Sequence, residues 1–262
     1  MRKKIAILSL HLGYGGVEKA IISLANSLAK LGKYDIEIVS IYKLYEKSVF
    51  DIDEKVKVTY LLSSKLSPNR KEWSEALHNL KLISLGKESL KSLKILYRRR
   101  KSMINYIKNT DANVIISTRV FLNELLSEYG SDNTLKIGWE HNHYHDDMKY
   151  ATDVIRSIKK LDYFVLVSKG LQKFYRKKMR SFKCKCVYIP NAIEGIPKTK
   201  SPLTSEHIIS VGRLSPEKGY LDLLKIYLDL KSKKCKWHLD IVGDGRERSR
   251  LEKFIKDNNL ED

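Results

Sequence analysis

The residues of this chain best suited to grip an anion lie in one stretch, Ile208-Ile209-Ser210-Val211-Gly212-Arg213-Leu214-Ser215-Pro216-Glu217-Lys218-Gly219. An apolar run of strand character stops at Gly212, and Arg213 follows at once. Lys218 stands five residues further on, where a helix is expected to begin. Two fixed cations and the positive end of a helix dipole then share one small volume, which suits a diphosphate. Val242-Gly243-Asp244-Gly245-Arg246 is a second strand ending in glycines and is expected to continue that surface.

Two other stretches carry chemistry. Leu12-Gly13-Tyr14-Gly15-Gly16-Val17-Glu18 joins a strand to a helix, and glycines there let backbone amides approach a ligand closely. The spacing departs from the dinucleotide fingerprint Gly-x-Gly-x-x-Gly, because position 18 is Glu where the third glycine belongs. An acidic ribose ligand would be Asp35 or Glu37, and the same departure argues against it. Trp139-Glu140-His141-Asn142-His143-Tyr144-His145-Asp146-Asp147 follows another strand and is dense in groups that bond sugar hydroxyls or move protons. Its three alternate histidines fall on one side of an extended segment, which also allows a metal. The position at the carboxyl end of a strand favours substrate contacts, with His141 as the working residue.

Apolar runs predict the strands that position these loops: 4–10, 36–42, 56–61, 114–117, 135–139, 163–168 and 186–189. Helical periodicity marks Val17 to Leu31, with Gly32 as its stop, and one long helix from about 76 to 108. Residues 63–75 read as an exposed loop or short helix. Alternating strands and helices give an α/β architecture with parallel, doubly wound sheets. A looser stretch holding Pro190, Gly195, Pro197 and Pro202 divides the chain into a domain over 1–190, a linker over 191–205 and a second domain over 206–262. That second domain should hold strand 207–211, helix 217–232, strand 237–242 and helix 246–258. Two βα units bury a parallel sheet poorly, so it is expected to be incomplete.

At 262 residues, 42% hydrophobic and 31% charged, the chain is an ordinary folded protein. Its net charge of +19 predicts an acidic partner: phosphorylated ligands, an anionic membrane surface or nucleic acid. The basic segments 87–101 and 169–185 suit a membrane leaflet. A nucleic-acid role lacks aromatic platforms or a recognisable module. The opening residues lack a secretory cleavage pattern, and no run approaches the ~20 apolar residues of a membrane span. Three cysteines suit free thiols in a reducing cytoplasm, and Cys184-Lys185-Cys186 lacks a second ligand pair for zinc.

The motifs Gly15-Gly16-Val17-Glu18, Ile189-Pro190-Asn191-Ala192-Ile193, Val211-Gly212-Arg213 through Lys218-Gly219 and Ile241-Val242-Gly243-Asp244-Gly245 resemble, in order and spacing, family 4 retaining glycosyltransferases. The resemblance spans the whole chain and is most specific at Arg213 and Lys218. It implies the GT-B fold, two Rossmann-like domains facing across a cleft, and transfer of a sugar from a nucleotide-sugar with retention and without a metal or other cofactor. Arg213 and Lys218 then match the cations that stabilise the departing diphosphate. Gly15, Gly16, Gly212 and Gly243 fall on the donor side, while Glu18, Glu140, Asn142 and Arg119 line the sugar and acceptor pocket, with His141 catalytic. Many members carry a histidine where Thr118-Arg119 stands here. The family's glutamate pair, seven residues apart, has no counterpart; it belongs beyond Asp262.

The expected function is therefore transfer of a sugar to a glycan or lipid-linked acceptor in cell-surface polysaccharide biosynthesis. The expected location is cytoplasmic, at the inner membrane face. Lacking the glutamate pair, the chain is expected to grip a donor with little turnover, as a fragment or a truncated product. The alternatives are a non-catalytic remnant that binds an anionic membrane or nucleotide, and a GT-B sugar-nucleotide epimerase.

Overall fold

The structure, a computed structural model, describes residues 2–63, 68–192, 199–202 and 204–261. It divides into two compact units, Met1–Glu194 and Gly195–Asp262. Part of the expected linker over 191–205, and residues 64–67 of the expected loop, lie outside the described residues.

The first unit is built on β1 (Lys3–Ser9), whose Ala6, Ile7 and Leu8 are wholly buried. Burying a side chain the size of Ile7 or Leu8 contributes about 1.5–3 kcal/mol. From β1 the chain passes through α1 (Gly16–Lys30) to β2 (Tyr34–Ser40) and β3 (Val56–Tyr60). Then come α2 (Arg70–His78), α3 (Leu82–Asn109) and β4 (Val114–Ser117). Three further βα steps follow: α4 (Val120–Tyr129), β5 (Leu135–Glu140), α5 (Met148–Ser157), β6 (Tyr163–Leu166), α6 (Lys169–Lys178) and β7 (Lys185–Tyr188). The strands form one seven-stranded sheet in the order β3-β2-β1-β4-β5-β6-β7, and every pairing is parallel. Strand order reverses at β1 and β4, which makes the carboxyl ends of those strands the natural ligand crevice.

One correction concerns the helices. Instead of one helix from 76 to 108, the chain makes an α2–α3 hairpin with its turn at Asn79–Lys81 and Leu80 in the left-handed region, φ 52°. Polar pins hold it: Trp73 Nε1 donates to Ser89 Oγ at 3.0 Å, and Asn69 Nδ2 donates to the Glu88 carboxylate at 2.6 Å. Asn69 and Ser89 had no periodic signature to reveal this. The stop at Gly32 is as expected, with φ 64° and its amide on the Ala29 carbonyl.

Helices α3 to α6 share one core with the sheet, around Met103, Leu122, Val154, Phe164 and Tyr175. Among the described residues, α1 is the one helix contributing to the core on the other face. There Val114, Ile116, Ile137, Trp139 and Val165 border a cavity of about 430 Å³.

Glu37 is buried inside β2 and is no ribose ligand. It accepts from Thr59 Oγ1 at 2.6 Å and Tyr106 Oη at 2.9 Å, with Lys4 Nζ at 3.1 Å. Burial alone would push its carboxyl up, but bonds from Thr59, Lys4 and Tyr106 hold it below its ordinary 4.5. A carboxylate with a depressed folded pKa stabilises above its unfolded value and loses that contribution as pH falls through the folded one. Acid unfolding of Glu37→Gln is therefore expected to be shallower below about pH 4.5. Fluorescence melts of both proteins across that range check this.

The second unit holds β8 (His207–Val211), a short 3₁₀ turn (Pro216–Lys218), α7 (Tyr220–Ser232), β9 (His238–Val242) and α8 (Arg248–Asp257). β8 and β9 pair in parallel as a two-stranded sheet. Leu214, Tyr220, Leu224 and Leu251 form its core.

Candidate active site

In the first unit, candidate residues gather at the carboxyl ends of β1, β4 and β5. Glu18 is buried in the first turn of α1, and Arg119 Nη2, just past β4, donates to its Oε1 at 2.8 Å. The pair ties the glycine turn to the neighbouring strand. A Cβ on Gly15 would collide with the Glu18 carboxylate, whereas one on Gly16 meets nothing within 4 Å. Gly15 is thus explained by packing, and Gly16 leaves open space. His11, which sequence reasoning missed, lies 3.7 Å from Glu18 and accepts the Gly13 amide on Nδ1 at 3.2 Å. Burial pushes its pKa down. Its one sequence signal was a histidine just past an apolar strand. Thr118 is spoken for structurally, its hydroxyl donating to the Leu8 carbonyl at 2.9 Å.

Glu140 ends β5 with its carboxylate enclosed. The Asn142 amide donates to it at 2.8 Å and Tyr150 Oη at 3.0 Å. Burial pushes its pKa up. Its visible work is to fix the loop, and Tyr150, on α5, is the partner that spacing did not reveal. Asn142 reaches toward the same Tyr150 hydroxyl with its side-chain amide at 3.5 Å. His141 lies against the Trp139 ring, centroids 4.2 Å apart. The three histidines do not share one extended face. His145 and Asp146 have positive φ, and His143 and His145 rings stand 4.9 Å apart. Among the described residues, no three His, Cys, Asp or Glu side chains form a group able to hold a metal.

Burial and the charge of Arg119 lower the His141 pKa to about 4. His141 is then a neutral imidazole at physiological pH. Between about 4 and its ordinary 6.5 the unfolded chain binds the proton better, so stability falls as pH drops through that window. The His141 ring resonances are expected to stay fixed from about pH 5.5 to 8 in NMR, where an ordinary histidine would titrate. His141 Nε2 and Arg119 Nε are buried and without a partner. Orphan buried polar atoms are rare, and these two follow the adjacent strands β4 and β5.

In the second unit, two glycine turns interlock. Gly212 N donates to the Val242 carbonyl at 3.0 Å, and Leu214 N to the Asp244 carbonyl at 2.9 Å. A Cβ on Gly243 would strike the Gly212 carbonyl, and one on Gly245 the Leu214 carbonyl. Gly212 and Gly243 thus serve the backbone contact between the turns, which shapes the loop carrying Arg213. Arg213 and Lys218 are exposed, and neither makes an ion pair among the described residues. Lys218 ends the 3₁₀ turn, and α7 opens two residues later behind Gly219 at φ 69°. The free amides of the helix therefore begin at Tyr220, because Pro216 and Gly219 impose a separate turn first.

Comparisons with known proteins agree with this architecture. Residues 193–262 match the family model for glycosyl transferases group 1. The chain is 26% identical over 268 residues to an uncharacterized glycosyltransferase of Haemophilus influenzae, covering 99% of this chain and 67% of that protein. It is 24% identical over 254 residues to an exopolysaccharide phosphotransferase of Streptomyces coelicolor, covering 95% of this chain and 27% of that protein. A solved structure of S. aureus TarM in complex with fondaparinux, alpha-GlcNAc-glycerol and UDP superimposes with a TM-score of 0.68 at 13% identity, covering 99% of this chain and 76% of that one. The fold is GT-B-like α/β, and the matches support placing the chain among the glycosyltransferases. The chain thus spans about two thirds of one curated relative's length and about a quarter of the other's.

Proposed function

We propose that this protein binds a nucleotide-sugar and moves its sugar, with retention, to a glycan or lipid-linked acceptor in cell-surface polysaccharide synthesis. The observation that carries the reading is the pair of solvent-facing cations on the turn of the second unit, Arg213 and Lys218, neither in an ion pair among the described residues. Cleavage of the anomeric C–O bond sends its electron pair to the diphosphate, and cations already in place stabilise that charge without reorganising. In the first unit, the open space at Gly16 receives sugar or acceptor hydroxyls, with Arg119 and His141 on the neighbouring strand ends. A UDP-bound structural neighbour and a relative named for exopolysaccharide work support the donor and acceptor classes.

The reading needs no metal. The test is thermal shift of the chain with uridine, guanosine and adenosine diphosphates and their sugars, with and without EDTA. At least one is expected to raise the melting temperature, and EDTA is expected to leave that rise unchanged. No shift with any of them would remove the support of the Arg213 turn. A shift abolished by EDTA would show that a metal carries the diphosphate.

A further inference from the structure

The α2–α3 hairpin buries one side and leaves a second apolar stripe in the open. Ile95, Met103 and Ile107 face the core. Leu80, Leu82, Ile83, Leu90, Leu93 and Tyr97 are between 64% and 80% exposed. On α3 the last five fall within about one third of the helix circumference at 100° per residue. Large apolar side chains scattered singly on a surface need no explanation, but a contiguous row of them does. Lys87, Lys94 and Lys101 border the stripe on one side, with Lys91 and Arg98 beyond them. Across residues 69–109 there are eleven Lys and Arg against three Glu, and one of those, Glu88, is engaged by Asn69. Leucines flanked by cations on one helix face form the pattern that lies in the headgroup boundary of a bilayer.

A cavity of about 640 Å³ opens beneath the hairpin. Leu93 and Leu96 belong to its lining, as do Leu10 and Tyr42, which follow β1 and β2. The cavity therefore runs from the exposed stripe to the residues just past β1 and β2, with Arg99 on its wall.

We propose that the α2–α3 hairpin docks on an anionic lipid bilayer, its leucines entering the interface and its lysines and arginines meeting the headgroups. The charge of the hairpin selects this occupant over a neutral apolar partner, and the apolar stripe selects it over nucleic acid. Docking is read as binding and not turnover, so its failure and that of the transferase reading are separable.

The test is cosedimentation of the full chain with vesicles of equal parts phosphatidylglycerol and phosphatidylcholine, and with vesicles of phosphatidylcholine alone. The protein is expected to partition onto the anionic vesicles, with Leu90→Glu/Leu93→Glu and Lys91→Glu/Lys94→Glu each lowering the partition coefficient about tenfold or more. All four side chains are exposed, and an unchanged melting temperature verifies that each variant folds. Lys233→Glu/Lys234→Glu, the same charge change in the second unit, is expected to bind much as the wild type does. Tyr97→Ser is a milder variant that should lose part of the binding if either double variant misfolds. The proposal is overturned if the wild type ignores anionic vesicles, if the leucine variant binds undiminished, or if the second-unit control loses as much. It is overturned equally if light scattering shows a dimer that the leucine substitutions dissociate, since a second copy would then be the occupant.

Discussion

In Arg213→Ala, affinity for a nucleoside diphosphate is expected to fall by roughly 10- to 100-fold, the loss of one hydrogen bond to a charged group worth about 1.5–3 kcal/mol. The melting temperature of the unliganded protein should stay where it is. Arg213 is exposed and forms no ion pair among the described residues, so truncating it removes nothing the fold uses. Isothermal titration with the nucleotide that gives the largest thermal shift measures the first effect, and a melt without ligand measures the second. Lys218→Ala is expected to cost less, since an ammonium is a point charge where a guanidinium offers a planar fork. Arg213→Lys should restore part of the loss for the same reason. An Arg213→Ala protein that binds as tightly as the wild type would show that the diphosphate lies elsewhere.

Arg119→Met is expected to do the opposite: destabilise the fold itself. The Glu18 carboxylate is 4% exposed and Arg119 is its 2.8 Å partner. Removing one member of a buried pair strands the other charge, at a cost of 3–5 kcal/mol for full burial. Arg119 retains 28% of its exposure, so about 2–4 kcal/mol is the appropriate expectation. In a protein of this size that is a fall of several degrees in melting temperature. The double variant Glu18→Gln/Arg119→Met should recover much of the loss, because the stranded charge is gone. If the single variant melts within a degree of the wild type, the ion pair is not what ties the α1 turn to β4. Glu18 also fills the space beside Gly15 and lies against His11.

The frame was legible because the physics that makes it is local. Apolar runs such as Ile5–Leu8 and Val114–Ile116, short and rich in β-branched residues, read as buried strands, and His207–Val211 matched its expected bounds residue for residue. What escaped depended on partners far along the chain or on single backbone conformations. Glu18 and Arg119 are 101 residues apart, and Glu37 and Tyr106 are 69, so no window of sequence shows either contact. The break at Leu80 hid inside a helical period because its positive φ needs no glycine signal. The carboxylate of Glu140 looked available in sequence, yet folding places Tyr150 on it. At the Arg213 turn, residue types identified the cations, but not that Gly243 packs on the Gly212 carbonyl while Gly212 makes room for the Tyr220 hydroxyl.

The two-stranded sheet that carries Arg213 has a consequence for any affinity measured there. Ile209, Val211 and Val242 are more than half exposed, and the core behind β8 and β9 rests on four buried side chains. A pair of parallel strands with one covered face opens at low cost, so amides along β8 and β9 should exchange with solvent early. A ligand seated on the interlocked turns must first hold them closed. Part of its intrinsic binding energy is then spent on order, and the observed dissociation constant is the intrinsic one divided by the fraction of time the turn is closed. On the proposed reading, saturating nucleotide should slow exchange along β8 and β9 far more than at β1.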